Sequence, residues 1–140
     1  MKTLIITLSL LFSSVALAQK IVVIVNENNA LQSISKDQLR DFFLKKTKTW
    51  PDGTPVKFFD RREESRERNL FLNNYIERSS REVETFWIGQ KLYTGHSAPT
   101  QVNNDSMTMA LISRFPGAIS YVSGDIPLKS GVKKIEVTQD

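Results

Sequence analysis

Cysteine is absent from this 140-residue chain. Its absence excludes disulfides, thiolate metal sites and cysteine nucleophiles. Histidine occurs once, in Gly95-His96-Ser97. With no second histidine and no thiol to join it, His96 reads as a loop residue, and neither a metal centre nor a cofactor is expected. A nucleophile paired with a base is also missing. Ser65 has no histidine in its local motif, and Glu63 and Glu64, as neighbours entering a helix, point apart. The chain therefore reads as non-enzymatic. It contains no internal repeat, low-complexity tract or inter-domain linker.

What is present starts with a leader. Lys2 supplies a positive start, Leu4 to Phe12 is apolar, and Ala16-Leu17-Ala18 is a small-x-small cleavage pattern. The apolar run is too short for a stable bilayer span. Residues 1–18 are thus expected to be a cleavable signal peptide, leaving residues 19–140 as one domain in the periplasm. A domain of that size buries roughly 65% of its unfolded surface. The net charge of +4 and pI of 9.4 would otherwise suggest nucleic acid. Export and the lack of an aromatic-plus-basic platform argue against it. Small anions or acidic partners fit better.

The pattern predicts an α/β domain. Lys20 to Asn26, KIVVIVN, suits a strand buried on both faces. Ser35 to Gln38 is a capping box opening a helix that runs to about Leu44. Trp50-Pro51-Asp52-Gly53-Thr54 is a turn, followed by a short strand over Val56 to Phe59. A helix is predicted from Ser65 to Arg78, and a second capping box at Ser79 to Glu82 opens another that ends near Gly95. Gly95 to Asn104 reads as loop. Ser106 to Arg114 reads as a helix with Met107, Leu111 and Ile112 inward, which leaves Met109 outside. Ala118 to Val122 and Lys133 to Val137 read as strands.

Between the third of these segments and the helix that follows lies Asp60-Arg61-Arg62-Glu63-Glu64-Ser65-Arg66-Glu67-Arg68. A strand that ends in arginines and enters a helix through a serine N-cap can build an anion site. The helix start offers unpaired N–H groups and the positive end of the dipole. Arg61 or Arg62 adds a planar fork for oxyanions. The same residues also describe an ordinary solvated basic helix start. Asp60, beside Arg61, is expected to pair with a neighbouring arginine; the alternative is that its carboxylate accepts from a protonated oxyanion. Trp50, Trp87, Phe86 and Phe71 are expected in the core.

Four segments together resemble the phosphate-binding, PstS-like substrate-binding proteins of bacterial ABC transporters. Ile21 to Asn26 looks like that family's strand entering a lobe. Ile34-Ser35-Lys36-Asp37-Gln38-Leu39-Arg40-Asp41-Phe42-Phe43 is similar to its serine-capped L-S-x-x-Q-L-x-x-I-F helix. Trp50 to Val56 looks like its W-x-D-G-x-P-I turn, and Pro116 to Val122 like its P-G-A-I-G-Y-V strand. The resemblance covers Ile21 to about Val137. It implies a single periplasmic-binding-protein-like lobe with a mixed sheet flanked by helices. It further implies phosphate or a similar oxyanion as ligand, forked by Arg61 and held by the Ser65 hydroxyl, with Arg62 and Arg66 as supporting charge. In the family's R-x-x-x-S-G-T loop, Arg66 and Glu67 stand here for glycine and threonine. Family members have two lobes. A homodimer or companion lobe, and the membrane components of an ABC transporter, are the implied partners. The alternative is a ligand-free lobe that serves as a protein-interaction module in the cell envelope.

Overall fold

A computed structural model describes residues 20–139, so the leader expected over 1–18 lies outside the described residues. In chain order the elements are β1 (Ile21–Asn26), β2 (Ser33–Ser35), α1 (Lys36–Phe43), β3 (Lys57–Arg61) and α2 (Arg66–Phe71). A π-helical turn (Leu72–Ile76) extends α2. Then come α3 (Ser80–Tyr93), β4 (Thr100–Val102), α4 (Asp105–Arg114), β5 (Ala118–Ser123), β6 (Val132–Lys134) and β7 (Glu136–Thr138).

The main sheet has the order β4-β3-β5-β1-β6, and β2 pairs with β7 in a small side sheet. β3 runs parallel to β4 and β5, whereas β1 runs antiparallel to β5 and β6. The expected mixed α/β lobe is therefore the observed architecture. The β-branched run of β1 fills an interior position between β5 and β6, where both faces need apolar side chains.

Alternation along the strands divides the core in two. Val23 and Val25 of β1, with Ile119 and Tyr121 of β5, face α1, α2 and α3. Ile24 of β1, with Ala118 and Val122 of β5, faces α4. The first side is aromatic. Phe43 meets Phe58 and Phe71 edge-on at 5.3 and 5.4 Å, and Phe71 stacks on Tyr121 at 4.1 Å. Each such ring, fully buried, contributes about 1.5–3 kcal/mol.

Local signals behave as their chemistry dictates. Ser35 and Ser79 each form a reciprocal capping box, with Gln38 and Glu82. Trp50 to Thr54 closes a turn in which Gly53 adopts φ +88°, a conformation costly for any side chain with a Cβ. The turn before β5 locks onto it. The carbonyl of Gly117 accepts from the indole of Trp50 at 3.0 Å and from the amide of Lys57 at 2.9 Å. A Cβ at Gly117 would lie 1.9 Å from the carbonyl oxygen of Pro55, so only glycine admits this approach. The W-P-D-G and P-G-A-I segments are thus two halves of one contact.

Three expectations need correction. Thr108, Met109 and Ile112 form the buried side of α4, while Met107 is half exposed. The helix starts at Asp105 behind an Asn104 N-cap, and its packing against β1 and β5 selects the face one residue on from the expected one. The segment read as loop from Gly95 contains β4, and the final strand is two, β6 and β7, broken at the buried Ile135. No described helix is long and apolar enough to cross a membrane.

Candidate anion site at the end of β3

β3 delivers Asp60 and Arg61 to the C-terminal end of the sheet, where open α/β folds place their ligands. Neighbours on a strand face opposite ways, and these two do. Asp60 turns to the aromatic side. Its Oδ1 accepts from the amide of Arg61 at 2.8 Å and from the hydroxyl of Tyr121; its Oδ2 accepts from Nε of Arg68 at 3.0 Å. Nη1 of Arg68 then donates to the Ser80 hydroxyl at 2.8 Å. Asp60 is thus paired with an arginine, not the chain neighbour that was expected but Arg68, carried on α2. Burial, then the Asp60 charge and its hydrogen bond, push the Tyr121 phenol well above the ordinary value.

Arg61 turns to the α4 side. It is buried, and its Nη1 donates to Oδ1 of Asp105, the first residue of α4. Its Nε–H is buried without an acceptor among the described residues. Asp105 also accepts from the amide of Ser123, at 3.4 Å, and its charge suits the α4 dipole. Of the two adjacent arginines it is therefore Arg61 that points inward; Arg62 is exposed.

Ser65 is the N-cap of α2. Its Oγ accepts from the amide of Arg68 at 3.2 Å, and its own amide bonds the carbonyl of Arg62 at 2.9 Å, which folds the intervening loop into a turn. As a hydroxyl it keeps a hydrogen to donate. Arg66 is exposed on the first turn of α2. Glu67 reaches inward, where its Oε1 accepts from the Ser123 hydroxyl at 3.1 Å.

Two carboxylates from two helix starts therefore meet at Ser123, beside the arginine that should fork an anion. Arg61 and Ser65 stand at this end of the sheet, while Arg62 and Arg66 flank it in solvent. Sequence reasoning passed over Asp105, Ser123, Arg68 and Tyr121. The first two adjoin it only through the sheet pairing and the start of α4. The N-D-S start of α4 was a usable signal, since an aspartate after an asparagine cap sits in the first turn.

A family model described as a PBP superfamily domain matches residues 12–137. No curated protein matches the chain. Among solved structures, an ABC-type phosphate transport receptor from Vibrio cholerae superposes with a TM-score of 0.61 at 17% identity, covering 85% of this chain and 46% of the receptor. PstS from Borrelia burgdorferi gives 0.64 at 12% identity, over 85% and 47%. A putative phosphate ABC transporter substrate-binding protein from Clostridium perfringens, with bound phosphate, gives 0.57 at 17% identity, over 85% and 45%. Likeness at these identities concerns the fold. The chain spans under half the length of each of these structures.

Proposed function

The chain belongs to the PBP superfamily, and from that premise we propose that it is an exported, non-catalytic binding domain for phosphate or a similar small oxyanion. The observation that carries this reading is Arg61. A buried guanidinium with one N–H lacking an acceptor lies at the carboxyl end of β3, four residues before the serine that caps α2. Relatives in fold are phosphate receptors of ABC transporters, and one holds phosphate. An arriving oxyanion would take the Arg61 fork from Asp105 and accept from the Ser65 hydroxyl, with Arg62 and Arg66 adding charge at the rim. Residues 19–140 form the domain, a signal peptide precedes it, and the periplasm is its compartment. A single lobe leaves the site open to water, which weakens each ionic contact. Three or four such hydrogen bonds support about 4–6 kcal/mol, or millimolar to high-micromolar affinity. A companion lobe, a homodimer or an ABC transporter's membrane components would raise capture beyond that.

Amide NMR titration with phosphate, against sulfate at matched ionic strength, tests the reading. Saturable shifts centred on Arg61 to Arg68 are expected, and Arg61→Ala should abolish them while the rest of the spectrum stays folded. Shifts that survive Arg61→Ala unchanged would sink the site assignment.

A second reading has its own observation. Asp105 already holds Arg61, and Glu67 already holds Ser123. A site closed by the chain's own carboxylates fits a lobe that has given up its ligand and acts as an interaction module of the envelope. Identical diffuse shifts with both salts would favour it.

A further inference from the structure

Helix α3 carries an apolar surface that its own packing does not use. Its buried side is Val83 and Trp87. On the next face outward, Ile88 and Leu92 are 58% and 77% exposed. They are four residues apart, so they stand one above the other. Together with Glu84 and Lys91 they wall one side of a groove of about 490 Å³, whose far side includes Ala98 and Gln101. An exposed aliphatic pair continuous with the rim of a groove is apolar surface that a partner could cover.

The charges on this face identify the occupant. Glu84 and Lys91 are seven residues apart on nearly the same face, about 10 Å along the axis, too far to pair with each other. Neither forms an ion pair with another described residue; Lys91 donates only to the Ser97 hydroxyl, at 3.1 Å. Two copies of α3 crossing antiparallel at Ile88 would set Glu84 of each against Lys91 of the other. Ile88 would then meet Ile88 on the axis, and Leu92 of each copy would enter the groove of the other. A parallel crossing would oppose Glu84 to Glu84 and is disfavoured. The pattern is complementary to itself under a two-fold axis, as an isologous interface requires. We propose that this face of α3 is the interface of a two-fold homodimer of the chain. The inference does not rest on anion binding, and phosphate titration can fail without touching it.

Sedimentation equilibrium on the purified protein, from about micromolar to about millimolar loading, tests it. A monomer–dimer equilibrium is expected. Ile88→Asp, which sets like charges together on the axis, should leave only monomer across that range. Glu84→Lys and Lys91→Glu should each weaken dimerisation by about tenfold or less. An equimolar mixture of these two variants should regain wild-type dimerisation, because their heterodimer restores both opposite-charge pairs. An effect within one chain cannot be rescued by mixing. All three sites are exposed, and circular dichroism should show unchanged helix content. A wild-type monomer throughout the range, a dimer indifferent to Ile88→Asp, or no recovery on mixing would each overturn the proposal, the first in favour of a different protein in the groove.

Discussion

Two arginine–aspartate pairs stand at the end of β3, one residue apart in the chain and on opposite faces of the sheet. Asp60 and Arg68 expose 4% and 6% of their side chains, and both Asp60 oxygens and two of the Arg68 nitrogens have partners. Arg61 exposes 5% of its side chain but its partner Asp105 exposes 21%, and the Arg61 Nε is left over. The first pair is closed: both carboxylate oxygens and two of the three guanidinium nitrogens are bonded, and removing one partner strands a buried charge. The second is open on one side, where Asp105 meets water. Similar chemistry thus stands buried and fully bonded on the carboxylate side of one face, and partly exposed on the other.

The largest break in this contrast comes from Asp60→Ala. Leaving Arg68 buried without its carboxylate should cost about 3–5 kcal/mol in chemical denaturation. Arg61→Ala should cost much less, about 1–2 kcal/mol, because Asp105 can hydrate and still face the positive end of the α4 dipole. If the two variants lose equal stability, the distinction between closed and open pairs is wrong.

Tyr121→Phe probes the closed side more finely. It removes one donor to Asp60 and should cost about 1–3 kcal/mol. It should also change the alkaline limb of the stability curve. The phenol's folded value is raised, so its contribution is fully present below about pH 10, the unfolded value, and is lost as pH climbs from there toward the folded value. Urea midpoints measured from pH 8 upward should fall for the parent and fall less for Tyr121→Phe.

On the open side, Asp105→Asn removes the competing carboxylate. Phosphate affinity should rise about three- to tenfold in the NMR titration, with a small stability loss. Weaker binding would mean that Asp105 positions Arg61 for the anion instead of competing with it. Arg62→Ala, at an exposed side chain, should move stability by less than about 0.5 kcal/mol, so any effect on phosphate reports rim charge alone.

The strong local signals in the sequence were those whose physics is short-range. Both capping boxes, the glycine turn at Gly53 and the apolar run of β1 appear where they were expected. β2 and β4 were not legible, because three residues hold no periodicity; β7 and β3 define them by pairing. The antiparallel direction of β1 was hidden for the same reason, since it belongs to its neighbours. At the site, the serine cap and the arginine could be read off the chain; the N-D-S start marked Asp105 only as a first-turn residue, and nothing in the chain marked Ser123. Their position beside Arg61 is a property of the sheet order, more than forty residues removed from the loop they complete.

That sheet order also has a consequence in time. The interior strand β1, Ile21–Asn26, is the first strand to be made, yet its partners are residues 118–123 and 132–134. It must close loops of about a hundred residues before it gains a single ladder bond, which slows folding by topology alone. Until the last tenth of the chain is available, its apolar run stays without the two neighbours that cover its edges. Assembly is therefore a late event, and a growing chain of this protein is held open by its own connectivity.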